Sequence, residues 1–251
     1  MFVRRKLFLI EKIKFKMSCG EIYGFLYLPD NITCTFPIVI LSHGLSLNHT
    51  YMKPYAEKLL KYNIASFIFD FRGGGYGCLS SGKISDMTLN SEVRDLMSVI
   101  DFIKSLKSID NDRIYLAGHS QGGFVSSLVG AKRVSEIRAL FLFAPAYVIC
   151  DDVRETTKRE KNVLNLMPEH TKDTYIKCAK NVNLYNDITD YNKCVYIFHG
   201  KMDSRVPISY SYEACKAYDN CKLIVFDNEE HRFSDKTKDV VVKKMSEVIL
   251  K

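Results

Sequence analysis

Six apolar runs of strand length divide this chain of 251 residues, and segments with helical spacing separate them. The runs are rich in Ile, Val, Phe and Tyr, so both faces of each strand should be buried. They occupy residues 37–43, 64–71, 113–120, 139–146, 194–200 and 222–228. Strands that alternate with helices predict an α/β fold with a mostly parallel, doubly wound sheet and helices on both of its faces.

The helices between these runs are predicted from their apolar periodicity. The clearest covers residues 88–108, where Val93, Leu96 and Ile100 share one face at i, i+3 and i+7. The other predicted helices lie near residues 51–62, 121–134, 207–219 and 236–250. Before the first apolar run, residues 5–15 and 21–28 predict an antiparallel hairpin that adds two strands at one edge of the sheet.

One long interval breaks the alternation. Between Ala146 and Cys194 lie 47 residues (194 − 146 − 1), which is too many for one crossover helix. The interval is polar, with amphipathic patches around 160–167 and 173–185. We predict an α/β core formed by residues 1–146 and 192–251, with residues 147–191 inserted as a small lid. An irregular surface excursion is the alternative.

Charge and cysteine content exclude several classes of partner. The net charge is +7, but the basic residues are scattered, so we predict no nucleic-acid partner. No apolar run approaches the roughly 18 residues that span a bilayer, so we also predict no membrane partner. The stretch Leu7–Ile10 is shorter than the roughly 7–15 apolar residues of an export signal, which favours a cytoplasmic location. The eight cysteines contain no C-x-x-C pair and are expected to be buried, reduced thiols, with no metal site.

The sequence "GHSQG" at residues 118–122 places Ser120 between two glycines, after a predicted strand and before a predicted helix. In that context the glycines permit a sharp turn that exposes the hydroxyl at the carboxyl edge of the sheet. The free N–H groups at the start of the helix point to the same place. We therefore predict that Ser120 is a nucleophile. A serine that merely caps the helix is the alternative.

A serine hydroxyl needs a base, and the base needs an acid to orient it. His231 follows the last predicted strand and is the predicted base. His43, His119 and His199 lie near strand ends, where we expect them to brace loops or to point away from the serine.

The predicted acid is Asp203, which follows the strand at 194–200. Asp227 and Glu230 are the rivals, and Asp227 is the stronger because it lies at a strand end close to the histidine.

The predicted oxyanion hole consists of two backbone N–H groups, those of Gln121 and Leu45. The glycine loop "FRGGGYG" at residues 71–77 does not fit the G-x-G-x-x-G dinucleotide pattern, and no helix is predicted to follow it directly. We expect these glycines to let the loop pass close to the rim of the site.

Taken together, these segments resemble the α/β-hydrolase superfamily and, more narrowly, the bacterial cinnamoyl and feruloyl esterases. Four segments occur in the family's order: "SHGLSLN", "LAGHSQGGFVSSL", "LFAPA" and "HGKMDSRVP". The predicted triad also follows the family's chain order of serine, acid and histidine. The family's usual "GxDH" before the histidine is "NEEH" here. The resemblance implies a lid that closes over an aromatic acyl group, with Asp151, Asp152 and Tyr175 as candidate contacts to the ring hydroxyls.

The resemblance implies hydrolysis of hydroxycinnamate esters through an acyl-enzyme, with a small-molecule ester as partner and no metal or organic cofactor. Family members often form dimers, so a homodimer is an assembly to test. A short-chain acyl esterase or lipase would share all the predicted catalytic residues. A peptidase of this fold usually carries a large extra domain, which we do not expect in this chain. A non-catalytic binding protein of the same fold is the alternative from another class.

Overall fold

A computed structural model describes residues 8–30, 35–154, 162–167 and 169–251. Its described strands form one sheet in the order β1-β2-β4-β3-β5-β6-β7-β8. The strands are β1 Phe8–Met17, β2 Gly20–Pro29, β3 Phe36–Ser42, β4 Ala65–Asp70, β5 Ile109–His119, β6 Ile137–Phe143, β7 Cys194–Gly200 and β8 Cys221–Phe226.

The sheet is parallel from β4 through β8, whereas β2 runs antiparallel to both β1 and β4. The predicted parallel sheet with an antiparallel hairpin at one edge is therefore confirmed. Because parallel strands end at the same edge, the loops after β3, β5, β7 and β8 all meet there. The register Ser42↔Gly118 sets the end of β3 directly beside the turn that follows β5.

Eight helices connect and cover the strands in the described part of the chain. They are α1 Lys53–Leu60, α2 Leu89–Lys104, α3 Gln121–Lys132, α4 Ile149–Arg154, α5 Glu169–Ala179, α6 Leu184–Thr189, α7 Ser209–Ala217 and α8 Asp235–Ile249. Short 3₁₀ turns lie at His49–Tyr51, Ile84–Asp86 and Val163–Leu166.

Two apolar clusters lie on opposite faces of the sheet. Because successive side chains of a strand point to opposite faces, Ile38 and Ile40 of β3 join one cluster while Val39 and Leu41 join the other. The first cluster holds α2, α3 and the helices that follow β6, and the second holds α1 and α8. Helix α3 is buried on every side, as its apolar and small residues require.

The interval after β6 folds into α4, the 3₁₀ turn at 163–166, α5 and α6. Its apolar side chains belong to the first cluster, through Ile149, Tyr175, Leu184 and Ile188 among others. The segment thus shares a core with the sheet. The division of the chain at residues 147 and 191 stays a prediction.

The cysteines differ from the prediction. Cys215 and Cys221 form a disulfide, because the turn from α7 into β8 brings their Cα atoms within 5.2 Å. Among the described free cysteines, Cys150 is buried and Cys19 is exposed, and three are half-buried: Cys78, Cys178 and Cys194. Cys34 lies outside the described residues. The expectation of buried thiols therefore holds only for Cys150, and the expectation of reduced thiols is wrong for the bonded pair.

In the described ranges no helix is both long and apolar enough to cross a bilayer. The cytoplasmic location stays a prediction.

Candidate active site

Ser120 occupies the turn between β5 and α3 in a left-handed backbone conformation, with φ 56° and ψ −120°. Its N–H donates to the Phe143 carbonyl at 2.9 Å, and its own carbonyl accepts from Ala146 N–H at 2.9 Å. A Cβ on Gly118 would collide with the Gly122 carbonyl, and one on Gly122 would collide with the end of β3. The two glycines of the motif are thus required by crowding, and the strained serine is held by neighbouring backbone.

A continuous chain of hydrogen bonds joins Ser120, His231 and Asp203, which are separated along the sequence by 111 and 28 positions. Ser120 Oγ lies 2.9 Å from His231 Nε2. His231 Nδ1 lies 2.7 Å from Asp203 Oδ2. Since the carboxylate can only accept, Nδ1 carries the proton and Nε2 is left to accept the serine proton. All three residues are buried, with exposed fractions of 9% or less.

Asp203 is held from several directions. Its Oδ1 accepts from the N–H groups of Arg205 and Val206 at 2.8 Å each, and His199 Nε2 lies 3.2 Å from Oδ2. Burial alone would raise the pKa of Asp203, but the hydrogen bonds from His199 and His231 outweigh it and hold the pKa well below its usual value. The residue is therefore a charged acceptor at neutral pH.

The rival acids lie elsewhere. The Asp227 side chain is 76% exposed and pairs with Lys201 at 3.2 Å. Within the described residues, Glu230 forms no hydrogen bond or ion pair with His231. Of the three candidate acids, only Asp203 contacts the histidine, and its catalytic role stays a proposal.

The other histidines brace loops, as predicted for two of them. His43 Nε2 accepts from Phe71 N–H at 3.1 Å, and His199 Nδ1 contacts Ser211 Oγ at 2.7 Å. His119 does not point away from the site. Its ring packs between Tyr51 and His231, and its Nε2 donates to the His231 carbonyl at 2.9 Å. Burial lowers the pKa of His119 well below its usual value, so the ring stays neutral.

The predicted oxyanion donors lie on either side of Ser120. Gln121 is the first residue of α3, and Leu45 follows Gly44, at which an added Cβ would lie 3.1 Å from Ser120 Cβ. Within the described ranges neither backbone N–H has a hydrogen-bond acceptor. Both groups are therefore available to a developing negative charge.

The glycine loop after β4 passes close to this rim, as predicted. Gly75 N–H donates to the Leu47 carbonyl at 2.8 Å, and Leu47 lines the cleft beside Ser120. A Cβ on Gly75 would collide with Ser46.

The cleft over Ser120 is small, with a volume of about 40 Å³. Its walls come from the loops after β3, β5, β6, β7 and β8, and the interval after β6 contributes Val148 and Leu166. Two cationic side chains, Arg205 and Arg232, also line it. Neither arginine is predicted from the sequence to belong to the site, although each lies within two residues of a predicted triad member.

The three predicted lid contacts are not among the described residues that line this cleft. Asp151 Oδ2 accepts from Tyr210 OH at 2.6 Å, and Asp152 is fully buried. Tyr175 is also fully buried, and its hydroxyl donates to Gln121 Oε1 at 2.7 Å. Asp152 and Tyr175 are thus turned into the core, whereas Asp151 is half-buried beside Tyr210. The predicted contact of these three residues with substrate stays a prediction.

This sheet order, with a serine at the turn after β5, an acid after β7 and a histidine after β8, is that of the α/β-hydrolase fold. Residues 34–193, more than half of the chain, match the model of the family described as serine aminopeptidase, S33. The chain belongs to this family.

Among solved structures, the chain is similar to Est1E from Butyrivibrio proteoclasticus with ferulic acid bound. The TM-score is 0.84 at 27% identity, over 95% of this chain and 100% of that one. Among curated proteins it is similar to the "Uncharacterized 31.7 kDa protein in traX-finO intergenic region" of Escherichia coli, with 29% identity over 63% of this chain. The chain spans 56% of that relative's length. It is also similar to "Inactive dipeptidyl peptidase 10" of Rattus norvegicus, with 26% identity over 70% of this chain and 22% of that protein.

Proposed function

We propose that this protein is a carboxylic-ester hydrolase that works through an acyl-enzyme and acts on hydroxycinnamate esters such as feruloyl and cinnamoyl esters. The observation that carries the proposal is the hydrogen-bonded chain from Ser120 Oγ through His231 to Asp203. A serine placed in this way, beside two free backbone N–H groups, is equipped for acyl transfer.

In the proposed first step, Ser120 Oγ attacks the ester carbonyl carbon while His231 Nε2 takes the hydroxyl proton. Asp203 stabilises the imidazolium, and the N–H groups of Leu45 and Gln121 bind the oxyanion. The C–O bond to the alcohol then breaks, and His231 gives its proton to the leaving alcohol. Water repeats the sequence on the acyl-enzyme, which releases the acid and restores the serine. Every proton passes through His231, and the steps call for no metal or organic cofactor.

The proposed acyl group rests on similarity. Est1E, whose solved complex contains ferulic acid, aligns with nearly the whole chain. A short-chain acyl esterase is the second candidate, and the small size of the cleft beside Ser120 favours it.

A non-catalytic binding protein is the candidate from another class, and one similar protein is named as inactive. The intact contacts among Ser120, His231 and Asp203 favour an enzyme over that candidate. The family's description as aminopeptidases makes an amide substrate a further outcome of the test.

The test combines a fluorophosphonate label with a substrate panel of methyl ferulate, p-nitrophenyl esters of graded chain length and aminoacyl p-nitroanilides. We expect labelling at Ser120 and a preference for methyl ferulate. Ser120→Ala should lower kcat by about 10⁴-fold or more while the free energy of unfolding changes by less than about 1 kcal/mol.

Ser126→Ala is the matched control, because Ser126 is a buried serine of the same helix whose hydroxyl bonds only to the Gly122 carbonyl at 2.7 Å. It should keep both label and turnover. Near-normal ester hydrolysis by Ser120→Ala would refute the mechanism, and preference for acetyl or butyryl esters would replace the proposed acyl group.

A further inference from the structure

The side chain of Gln121 connects two helices that belong to different parts of the site. Its Oε1 accepts from the hydroxyl of Tyr175 on α5 at 2.7 Å. Its Nε2 donates to Glu92 Oε2 on α2 at 2.8 Å, with Met87 Sδ at 3.6 Å. Gln121 and Tyr175 are fully buried and Glu92 is 2% exposed, so water does not replace these bonds.

The chemistry of the neighbours fixes the direction of each bond. Burial raises the pKa of Tyr175 well above its usual value, so its hydroxyl stays protonated and donates. Burial likewise raises the pKa of Glu92 to about 8, and its carbonyl oxygen accepts from the amide of Gln121 whether or not the group is ionised. The amide of Gln121 therefore has one orientation that satisfies both partners. Loss of either partner leaves a buried polar atom unsatisfied.

Gln121 is also the residue whose backbone N–H is the proposed oxyanion donor. Residues farther along a helix are held by a hydrogen bond from their N–H to a carbonyl of the preceding turn. Gln121 is the first residue of α3, so its N–H has no such intrahelical bond. Its position depends on the strained turn at Ser120 and on its own side chain. A contact that fixes the side chain therefore fixes the N–H as well.

We propose that Tyr175 and Glu92 are positioning residues, which clamp the side chain of Gln121 and thereby hold its backbone N–H where the oxyanion forms. One partner of this clamp, Glu92, lies on α2 in the body of the protein. The other, Tyr175, lies on α5 in the interval predicted to be the lid. Docking of α5 is then coupled to the quality of the oxyanion hole. This inference rests on the proposed function, and it assigns Tyr175 a role different from contact with the substrate ring.

The two roles of Tyr175 predict different kinetics for Tyr175→Phe. With p-nitrophenyl acetate, which has no aromatic acyl group, a displaced oxyanion donor should lower kcat about tenfold and leave KM unchanged. The basis is that misplacement of a catalytic group by 1 Å can lower the rate about 100-fold. A lost ring contact would instead raise KM for hydroxycinnamate esters and leave the acetate ester unaffected. That second pattern would overturn the clamp.

Tyr147→Phe is the matched control. Tyr147 is fully buried, and its hydroxyl lies 2.7 Å from Ser127 Oγ. Ser127 is on α3, the helix that Gln121 begins, about two turns after Ser120. The variant therefore removes an equivalent buried hydroxyl without changing the contacts of Gln121. We expect its kcat to stay within about twofold of wild type. An equal loss in both variants would show a general effect of buried hydroxyls and would overturn the clamp.

The hydrogen bond between Glu92 and Gln121 is tested with Glu92→Leu and Glu92→Gln. Leucine removes the acceptor and should lower kcat for p-nitrophenyl acetate about tenfold. Glutamine keeps a carbonyl oxygen in place and should restore most of that loss. If glutamine is as defective as leucine, Glu92 does not act as the acceptor for Gln121 and the inference fails.

Amide hydrogen exchange tests the contact between Tyr175 and Gln121 independently of catalysis. Tyr175→Phe should speed exchange of the amides of residues 172–179 by about tenfold relative to Tyr147→Phe, because α5 loses its buried anchor. Unchanged exchange would overturn the clamp even if the wild-type protein hydrolyses esters. Faster exchange in a protein that neither labels with fluorophosphonate nor hydrolyses esters would refute the proposed function and leave the contact between α5 and Gln121 established.

Discussion

The catalytic edge, formed by the loops after β3, β5, β7 and β8, differs from the interval between β6 and β7 in how its side chains are fixed. At the catalytic edge Ser120 directly follows β5, and Asp203 and His231 lie in the loops after β7 and β8. Backbone groups hold Ser120 and Asp203 in place. Asp203 alone accepts two backbone N–H bonds of 2.8 Å. The described part of the interval contains α-helices of 6, 11 and 6 residues, which are too short to be stable in isolation.

This difference shows which contacts can be predicted from sequence motifs. The sheet fixes the position of a side chain at a strand end, so its neighbours can be predicted from the order of the strands along the chain. A side chain on a short docked helix takes its position from packing. Tyr175 illustrates the second case, since it meets Gln121 across 54 positions of sequence.

The largest expected effect belongs to the catalytic edge. Asp203→Asn should lower kcat about 10⁴-fold, because the histidine loses the anion that fixes its tautomer and stabilises the imidazolium. Steady-state kinetics with a p-nitrophenyl ester measures this loss. Asp227→Asn is the matched control and should be without effect, since that side chain is 76% exposed. Equal losses in the two variants would show that strand-end position alone does not identify the acid.

An intermediate effect is expected where the two regions meet, at Glu92. Its folded-state pKa is raised to about 8, above the ordinary 4.5, because of burial. The stability that Glu92 provides is complete below pH 4.5 and is lost as pH rises to about 8. At about 1.4 kcal/mol per pKa unit, the loss is a few kcal/mol.

Glu92→Gln should remove this component, and chemical denaturation at pH 5, 6.5 and 8 measures it. The groups nearest to Glu92 are Asp95, which pairs with Arg72, and the side chains of Gln121 and Tyr175. All of them are unchanged in the variant, so the difference between the two proteins isolates Glu92. Identical pH profiles would contradict the buried, protonated state.

The smallest effect is expected in the lid region, at Leu166. Leu166→Ala enlarges the cleft, so kcat/KM for long-chain and aromatic acyl esters should rise about fivefold relative to p-nitrophenyl acetate, an effect of about 1 kcal/mol. Leu164→Ala lies in the same turn but packs against the core, and it should lower stability without changing this ratio. An unchanged ratio in Leu166→Ala would show that this turn does not limit the acyl group.

Much of the fold could be predicted because it follows from periodic patterns. The strand predicted at 194–200 has those bounds in the structure, and helix 236–250 was displaced by one residue. The chain order of Ser120, Asp203 and His231, together with the glycines of the elbow, sufficed to find the residues that meet. What failed had no local pattern. Cys215 and Cys221 pair because a turn joins them, and His119 faces His231 because of its packing against Tyr51.

The sequence by itself determined the layered sheet, the edge at which the site forms and the identity of the residues that converge there. These follow from apolar periodicity and from the rule that parallel strands end together. Only the tertiary structure decided that Asp152 and Tyr175 turn into the core, that Leu166 closes the cleft and that Gln121 is held between Glu92 and Tyr175. The physical reason is that the direction of a side chain on a short docked helix is set by the packing of distant residues, which a linear pattern does not record.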